Sequence, residues 1–168
     1  MPMRHIIAIR LQNEAGALTR VAGLFSTRGY NIESLSVAPT YDPSISRITL
    51  VTTGSESVIA QINAQLLKLV DVASVEDMTG GDHLARELML IKVHTTNARV
   101  DALNELVQRA GGKVLAPNPG SFIIELASTE AQISQFIAEV GAFGEVLEVV
   151  RSGALGIAHA NPKLHAVK

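Results

Sequence analysis

His5-Ile6-Ile7-Ala8-Ile9-Arg10-Leu11-Gln12-Asn13-Glu14-Ala15-Gly16-Ala17-Leu18 changes period in mid-course. Over residues 5–11, Ile7, Ile9 and Leu11 alternate on one face, the pattern of a strand with one buried side. Past Gly16, Leu18, Val21, Ala22 and Phe25 recur at i, i+3, i+4 and i+7, one face of a helix that Gly29 ends. Working outward, residues 31–38 and 47–53 read as strands joined by a turn containing Pro39, Asp42 and Pro43. Ile59, Ile62, Leu66 and Leu69 mark a second helix, and residues 72–78 alternate again. The first half is therefore βαββαβ.

The second half repeats that order at similar lengths. Residues 87–94 form a strand, and Val100, Leu103, Val107 and Ala110 a helix face ended by Gly111-Gly112. Residues 113–116 and 121–126 flank the turn Pro117-Asn118-Pro119-Gly120, and Ile133, Phe136, Ile137 and Val140 mark the second helix. Residues 145–150 are the last strand, and residues 79–83 read as a linker between the halves. The fold class is α+β, with tandem ferredoxin-like βαββαβ units, each an antiparallel sheet with both helices on one face. Such units leave a face or an edge that a second copy or a partner chain can cover. Residues 153–168, with small residues and no period, read as a loose tail.

Composition narrows the function. Of 168 residues, 47% are hydrophobic, enough for a packed core. Aromatic residues are 4% and Trp is absent, which disfavours a base-stacking surface. Net charge is −2 and the basic residues are scattered, so no phosphate-backbone footprint stands out. Without cysteine there is no disulfide frame, thiolate metal site or thiol nucleophile. The apolar run Ile6 to Ile9 is too short for a signal core, and no stretch nears the ~18 residues of a membrane span. The expectation is a soluble, cytoplasmic protein.

No catalytic signature emerges. His5, His83, His94, His159 and His165 show no metal-ligand spacing, and the chain has no nucleophile elbow, dinucleotide fingerprint or P-loop. Asp42 is explained by turn chemistry. The loop Asn13 to Leu18 stands apart. Gly16 at a strand-to-helix turn permits close backbone approach, and free N–H groups at a helix start favour an anion. The Asn13 amide oxygen can accept from an ammonium group, so the parts suit a free amino acid. A purely structural reading, Asn13 as cap and Gly16 as a relaxed turn, accounts for the same residues. Asn31, after Gly29-Tyr30, is a second candidate and equally a turn residue. The two loops sit at opposite ends of one helix, which keeps them apart within one copy, and a symmetric dimer could bring them together.

The runs Asn13-Glu14-Ala15-Gly16-Ala17-Leu18-Thr19-Arg20-Val21 and Gly23-Leu24-Phe25-Ser26-Thr27-Arg28-Gly29-Tyr30-Asn31-Ile32-Glu33-Ser34-Leu35 closely resemble the small regulatory subunits of acetohydroxyacid synthase (acetolactate synthase). Asn-x-x-Gly-x-Leu alone marks only an ACT domain, a general amino-acid-sensing module; the longer second run is far more specific. Val37-Ala38-Pro39-Thr40, Ser46-Arg47, residues 65–72 and 86–93, and Val150-Arg151-Ser152-Gly153 are also similar to that family. The resemblance covers residues 4 to about 157.

The resemblance implies an ACT, valine-sensing domain at residues 4–79 and a C-terminal ferredoxin-like domain at 84–152, beside the flexible tail at 153–168 read from its lack of period. It implies a homodimer through ACT domains that bind valine at their interface, with Asn13, Gly16, Ala17 and Leu18 from one chain and Asn31 and Ile32 from its neighbour. The implied partner is the large catalytic subunit, which carries thiamine diphosphate, magnesium and FAD and converts pyruvate to acetolactate; no cofactor or metal is expected in this chain. The second half has Thr95-Thr96-Asn97-Ala98-Arg99-Val100 where the first has its Asn loop, so no second amino-acid site of that kind is expected. Two other functions stay open: a free-standing ACT-type sensor of another enzyme, which a pull-down with the catalytic subunit separates, and an enzyme on this scaffold, which an assay of the chain alone separates.

Overall fold

The computed structural model describes residues 1–160. The first unit comprises Met1–Ala85 together with the chain from Ala154, and the second is Arg86–Gly153. β1 (Met3–Gln12), α1 (Ala17–Thr27), β2 (Ile32–Pro39), β3 (Ile45–Gly54), α2 (Glu56–Leu66) and β4 (Val72–Asp77) build the first unit. Its antiparallel sheet has the order β2-β3-β1-β4. In the second, β5 (His83–His94), whose residues 83–85 still belong to the first unit, α3 (Val100–Ala110), β6 (Lys113–Asn118), β7 (Ser121–Ser128), α4 (Glu130–Val140) and β8 (Glu145–Arg151) repeat it as β6-β7-β5-β8. Both are the expected α+β, βαββαβ arrangement.

Each unit has its own core between sheet and helices. Ile7, Ile9 and Leu11 of β1 meet Ile48 and Leu50 of β3, Val21 and Phe25 of α1, and Ile59, Ile62 and Leu66 of α2. Met89, Ile91 and Val93 of β5 play the same part with Leu103, Leu106, Val107, Ile133, Phe136 and Val140. Burying one such side chain contributes about 1.5–3 kcal/mol, so these period-2 and period-3.6 stripes specify which faces turn inward.

Three expectations need correction. Leu18 was expected on the buried face of α1, but Ala17 is buried and Leu18 is 41% exposed; the stripe runs Ala17, Val21, Phe25. The linker is shorter than residues 79–83, because β5 already starts at His83. The tail is not loose throughout: Leu155–Ala158 is a strand, β9, that pairs with β5. Ala154 and Ala158 join Ile6, Ala8, Val51 and Met78 on the sheet face away from the helices. Gly156 fits there because it is small: an added Cβ would lie 2.7 Å from Met78 Cε and 2.8 Å from Ile6 Cδ1. The alternation in β9 is therefore of small residues inward and Leu155 and Ile157 outward, the inverse of the usual hydrophobic signal. The part of the tail at 161–168, including His165, lies outside the described residues.

Candidate functional site

The start of α1 is built differently from the other helix starts. Gly16 sits at φ 87°, ψ −14°, a left-handed conformation that costs an L residue roughly 1–2 kcal/mol. α1 begins there with no side-chain cap and no acidic residue in its first turn. Ala17 N–H reaches back to Glu14 O at 3.3 Å, while the N–H groups of Leu18 and Thr19 have no partner among the described residues. By contrast α2 is capped by Ser55 and carries Glu56, and α4 has a full Thr129–Gln132 capping box and Glu130. α3 lacks a side-chain cap but has Asp101 in its first turn. Unpaired donors and the helix dipole, equivalent to roughly +0.5 charge, are thus left uncompensated at α1 alone of the four described helices.

Asn13 stands beside this positive end. Its N–H donates to Ser44 O at 2.8 Å and its Nδ2 to Pro43 O at 3.0 Å, which leaves Oδ1 as the free acceptor. The supporting turn is itself braced: Asp42 Oδ1 accepts from Ser44 N–H at 2.9 Å and from Ser44 Oγ at 2.7 Å. Those two bonds hold the Asp42 carboxyl below the usual carboxylate range. Asp42 serves turn chemistry and, through Ser44, the placement of Asn13.

A second brace, missed in the sequence, closes the other side. Arg20 Nε donates to the buried Asp71 carboxylate, and Gln12 N–H donates to Asp71 O at 2.8 Å. The Arg20 hydrogen bond keeps the Asp71 carboxyl below its usual range, and Asp71 raises Arg20 in turn. A Cβ on Gly16 would stand 3.0 Å from Arg20 Nη1, so the guanidinium overlies the glycine. The Gly16–Arg20 spacing of i, i+4 signalled that neighbourhood. Nothing local signalled Asp71, which arrives only when the α2–β4 connection folds beside β1.

Asn13, Gly16, Ala17 and Leu18 are thus brought together. Ala17 can offer only backbone outward, its side chain being buried, whereas Leu18 stands partly exposed. Asn31 and Ile32 lie past the far end of α1, whose 11 residues span roughly 16 Å. That end is closed by Gly29 at φ 71°, with Gly29 N–H on Ser26 O and Tyr30 N–H on Phe25 O, a Schellman turn. The Phe25 and Tyr30 rings meet edge to face at 6.5 Å across it. Asn31 O accepts from Thr52 Oγ1 at 2.6 Å, its side chain is exposed, and Ile32 packs on the first core. One chain does not unite its two Asn loops.

Among the described residues no three of His, Cys, Asp and Glu converge as metal ligands would. His5 is buried on Asp77, Nδ1 to Oδ2 at 3.0 Å. No helix among these residues is long and apolar enough to cross a membrane.

Comparison with known proteins gives two family matches: an AHAS small subunit-like ACT domain over residues 7–74, and the small subunit of acetolactate synthase over residues 86–160. The acetolactate synthase isozyme 3 small subunit of Escherichia coli (strain K12) is 42% identical over 159 residues, 95% of this chain and 98% of that protein. The acetolactate synthase small subunit of Haemophilus influenzae (strain ATCC 51907 / DSM 11121 / KW20 / Rd) is 39% identical over 162 residues, covering 96% of this chain and 99% of its own length. The crystal structure of the acetolactate synthase small subunit from Thermotoga maritima superposes with a TM-score of 0.86 at 28% identity, over 95% of this chain and 99% of that one. On fold, on both halves of the sequence and on near full-length identity, the chain belongs to the acetolactate synthase small-subunit family.

Proposed function

We propose that this chain is the non-catalytic regulatory subunit of acetolactate synthase. It activates the catalytic subunit, which condenses two pyruvate to 2-acetolactate and CO2, and it transmits valine feedback. Thiamine diphosphate, magnesium and FAD belong to the catalytic subunit in this reading, and the assembly is cytoplasmic. The observation that carries the valine site is the start of α1, with no cap, no acid and two unpaired N–H groups at a left-handed glycine. The effector carboxylate rests on those donors, and its ammonium group donates to Asn13 Oδ1. Gly16 admits the close approach, Ala17 contributes backbone, and Leu18 offers apolar surface to the isopropyl group.

The remaining contacts come from Asn31 and Ile32 of a second copy. They stand at the beginning of β2, an edge strand of the first sheet, so pairing of two such edges carries them to the neighbour's Asn13 loop. Valine must favour one arrangement of the complex over another, because equal affinity for both shifts nothing. Reconstitution tests the whole reading: pyruvate turnover is measured for the catalytic subunit with and without this chain, each with and without valine. The chain alone makes no acetolactate, raises its partner's rate, and renders that rate valine-sensitive. Turnover by the chain alone, or a partner rate indifferent to it, defeats the proposal.

A further inference from the structure

Arg20 brings a cation to the end of α1 where the helix least favours one. The dipole puts partial positive charge at a helix N-terminus, so acidic side chains stabilise it and basic ones oppose it. α1 has no acidic residue in its first turn, yet the Arg20 side chain folds back onto Gly16. The guanidinium is half-exposed, so solvent is open to it elsewhere. Its Nε donates instead to the buried Asp71 carboxylate in the α2–β4 connection. Hydrogen bonding to Asp71 first, and the charge of Glu14 last, raise the guanidinium above its ordinary value, with burial opposing.

A brace to Asp71 explains Nε and leaves the outer edge of the guanidinium unexplained. Nη1 and Nη2 have no hydrogen-bond partner among the described residues, and Glu14 makes no bond to them. Gly16 belongs to the same arrangement. A Cβ there would stand 3.0 Å from Nη1, so any larger residue pushes the guanidinium off the first turn of α1, besides straining a backbone at φ 87°. The glycine thus holds the free Nη groups on the turn that also presents the open N–H groups of Leu18 and Thr19. A planar guanidinium matches a carboxylate in shape, and a charge-assisted bond is roughly twice as strong as a neutral one.

We propose that Arg20 is the side-chain partner of the effector's carboxylate, and that Asp71 is the residue that positions it. The Nη groups of Arg20 and the N–H groups of Leu18 and Thr19 share the two carboxylate oxygens. This rests on the reading of the α1 start as the effector site and deepens it: a fixed cation, added to backbone donors, recognises the free α-carboxylate. It also gives Gly16 a second task, that of making room for the guanidinium as well as for the ligand.

The test is calorimetric valine binding to the full chain as wild type, Arg20→Gln, Arg20→Lys and Asp71→Asn, with the melting temperature read on each preparation. Arg20→Gln keeps a polar side chain without the charge and weakens valine at least tenfold. Asp71→Asn leaves the guanidinium present but poorly anchored, so its loss is severalfold and smaller. Arg20→Lys keeps a cation without the planar fork and recovers part of what Arg20→Gln loses. A brace and nothing more gives a different result. Arg20→Gln and Asp71→Asn then break the same ion pair and weaken valine by equal factors, which overturns the proposal. Undiminished valine binding by folded Arg20→Gln overturns it as well. Gly16→Asp separates the two levels: if it weakens valine and Arg20→Gln does not, only the Arg20 assignment fails. If Gly16→Asp also binds valine as wild type does, the α1 site itself is wrong, and the Arg20 assignment falls with it.

Discussion

The β1–α1 loop and the β5–α3 loop occupy the same place in two copies of one fold, and they are tethered to the same neighbours. Asn13 N–H bonds to Ser44 in the β2–β3 turn, as Thr95 N–H bonds to Gly120 in the β6–β7 turn. Gln12 N–H bonds to Asp71 in the α2–β4 connection, and Thr95 Oγ1 to Phe143 O in the α4–β8 connection at 2.6 Å. They diverge at the helix start. In the second unit a 3₁₀ turn, Asn97–Arg99, runs straight into α3, with Arg99 N–H on Thr96 O, Val100 N–H on Asn97 O and Asp101 in the first turn. Arg99 Nη1 further ties the turn to Ala142 O at 3.2 Å. The first unit breaks the turn with a left-handed glycine and leaves its donors open. Since the second unit folds with this start closed, the fold does not require an open one.

The strongest way to break the contrast is to place a carboxylate in each loop. Gly16→Asp sets its side chain beside Arg20 Nη1, within 3.0 Å at Cβ, where it pairs with the guanidinium and lies over the α1 donors. A built-in anion then occupies the place assigned to the effector carboxylate. Valine affinity in the reconstituted enzyme is expected to fall tenfold or more, about 1.4 kcal/mol, while activation persists. The left-handed backbone adds roughly 1–2 kcal/mol of destabilisation, read as a lower melting temperature. Ala98→Asp, exposed in the second loop, leaves valine inhibition unchanged. Full inhibition in a folded, activating Gly16→Asp variant would sink the proposed site.

How far the sequence alone reaches follows from the kind of signal each part leaves. The two cores were legible because Ile7, Ile9 and Leu11, or Met89, Ile91 and Val93, repeat at two, and Ile59, Ile62 and Leu66 at helical spacing. Asn13 and Gly16 were legible because a glycine between two periods marks a turn. Leu18 misled because its size outweighed that of Ala17, although geometry turns the smaller residue inward. β9 left no signal, since the residues that bury are Ala154, Gly156 and Ala158. The Arg20–Asp71 brace joins residues 51 apart in the chain, so only the folded sheet reveals it.

A smaller effect is expected where the second loop is tied down. Thr95 is buried, and Thr95→Val keeps its shape but leaves the Phe143 carbonyl without its donor. A buried acceptor left unpaired costs about 1–3 kcal/mol. Calorimetric melting should show the second unit destabilised, with valine affinity at its wild-type value. A loss of valine response from this change would mean the two loops are not functionally distinct.

The smallest expected effect probes the Arg20–Asp71 brace through pH. Asp71 is held below its ordinary range by the Arg20 hydrogen bond, whereas the unfolded chain returns it to about 3.9. A carboxyl with a depressed folded pKa gives stability that is fully present above the unfolded value and lost as pH falls through the folded one. Asp71→Asn removes that titration. The difference in melting temperature between wild type and variant should therefore be constant from neutral pH to about pH 5, then shrink progressively below pH 4. Arg20 is half-exposed, so the difference is small throughout. At neutral pH the variant should also weaken valine severalfold, less than Gly16→Asp, because it frees the guanidinium over Gly16 without filling the site. A difference that grows as the solution is acidified would reverse the sign and exclude Asp71 as an ionised brace. Unchanged valine affinity would confine the pair to holding α1 against the α2–β4 connection.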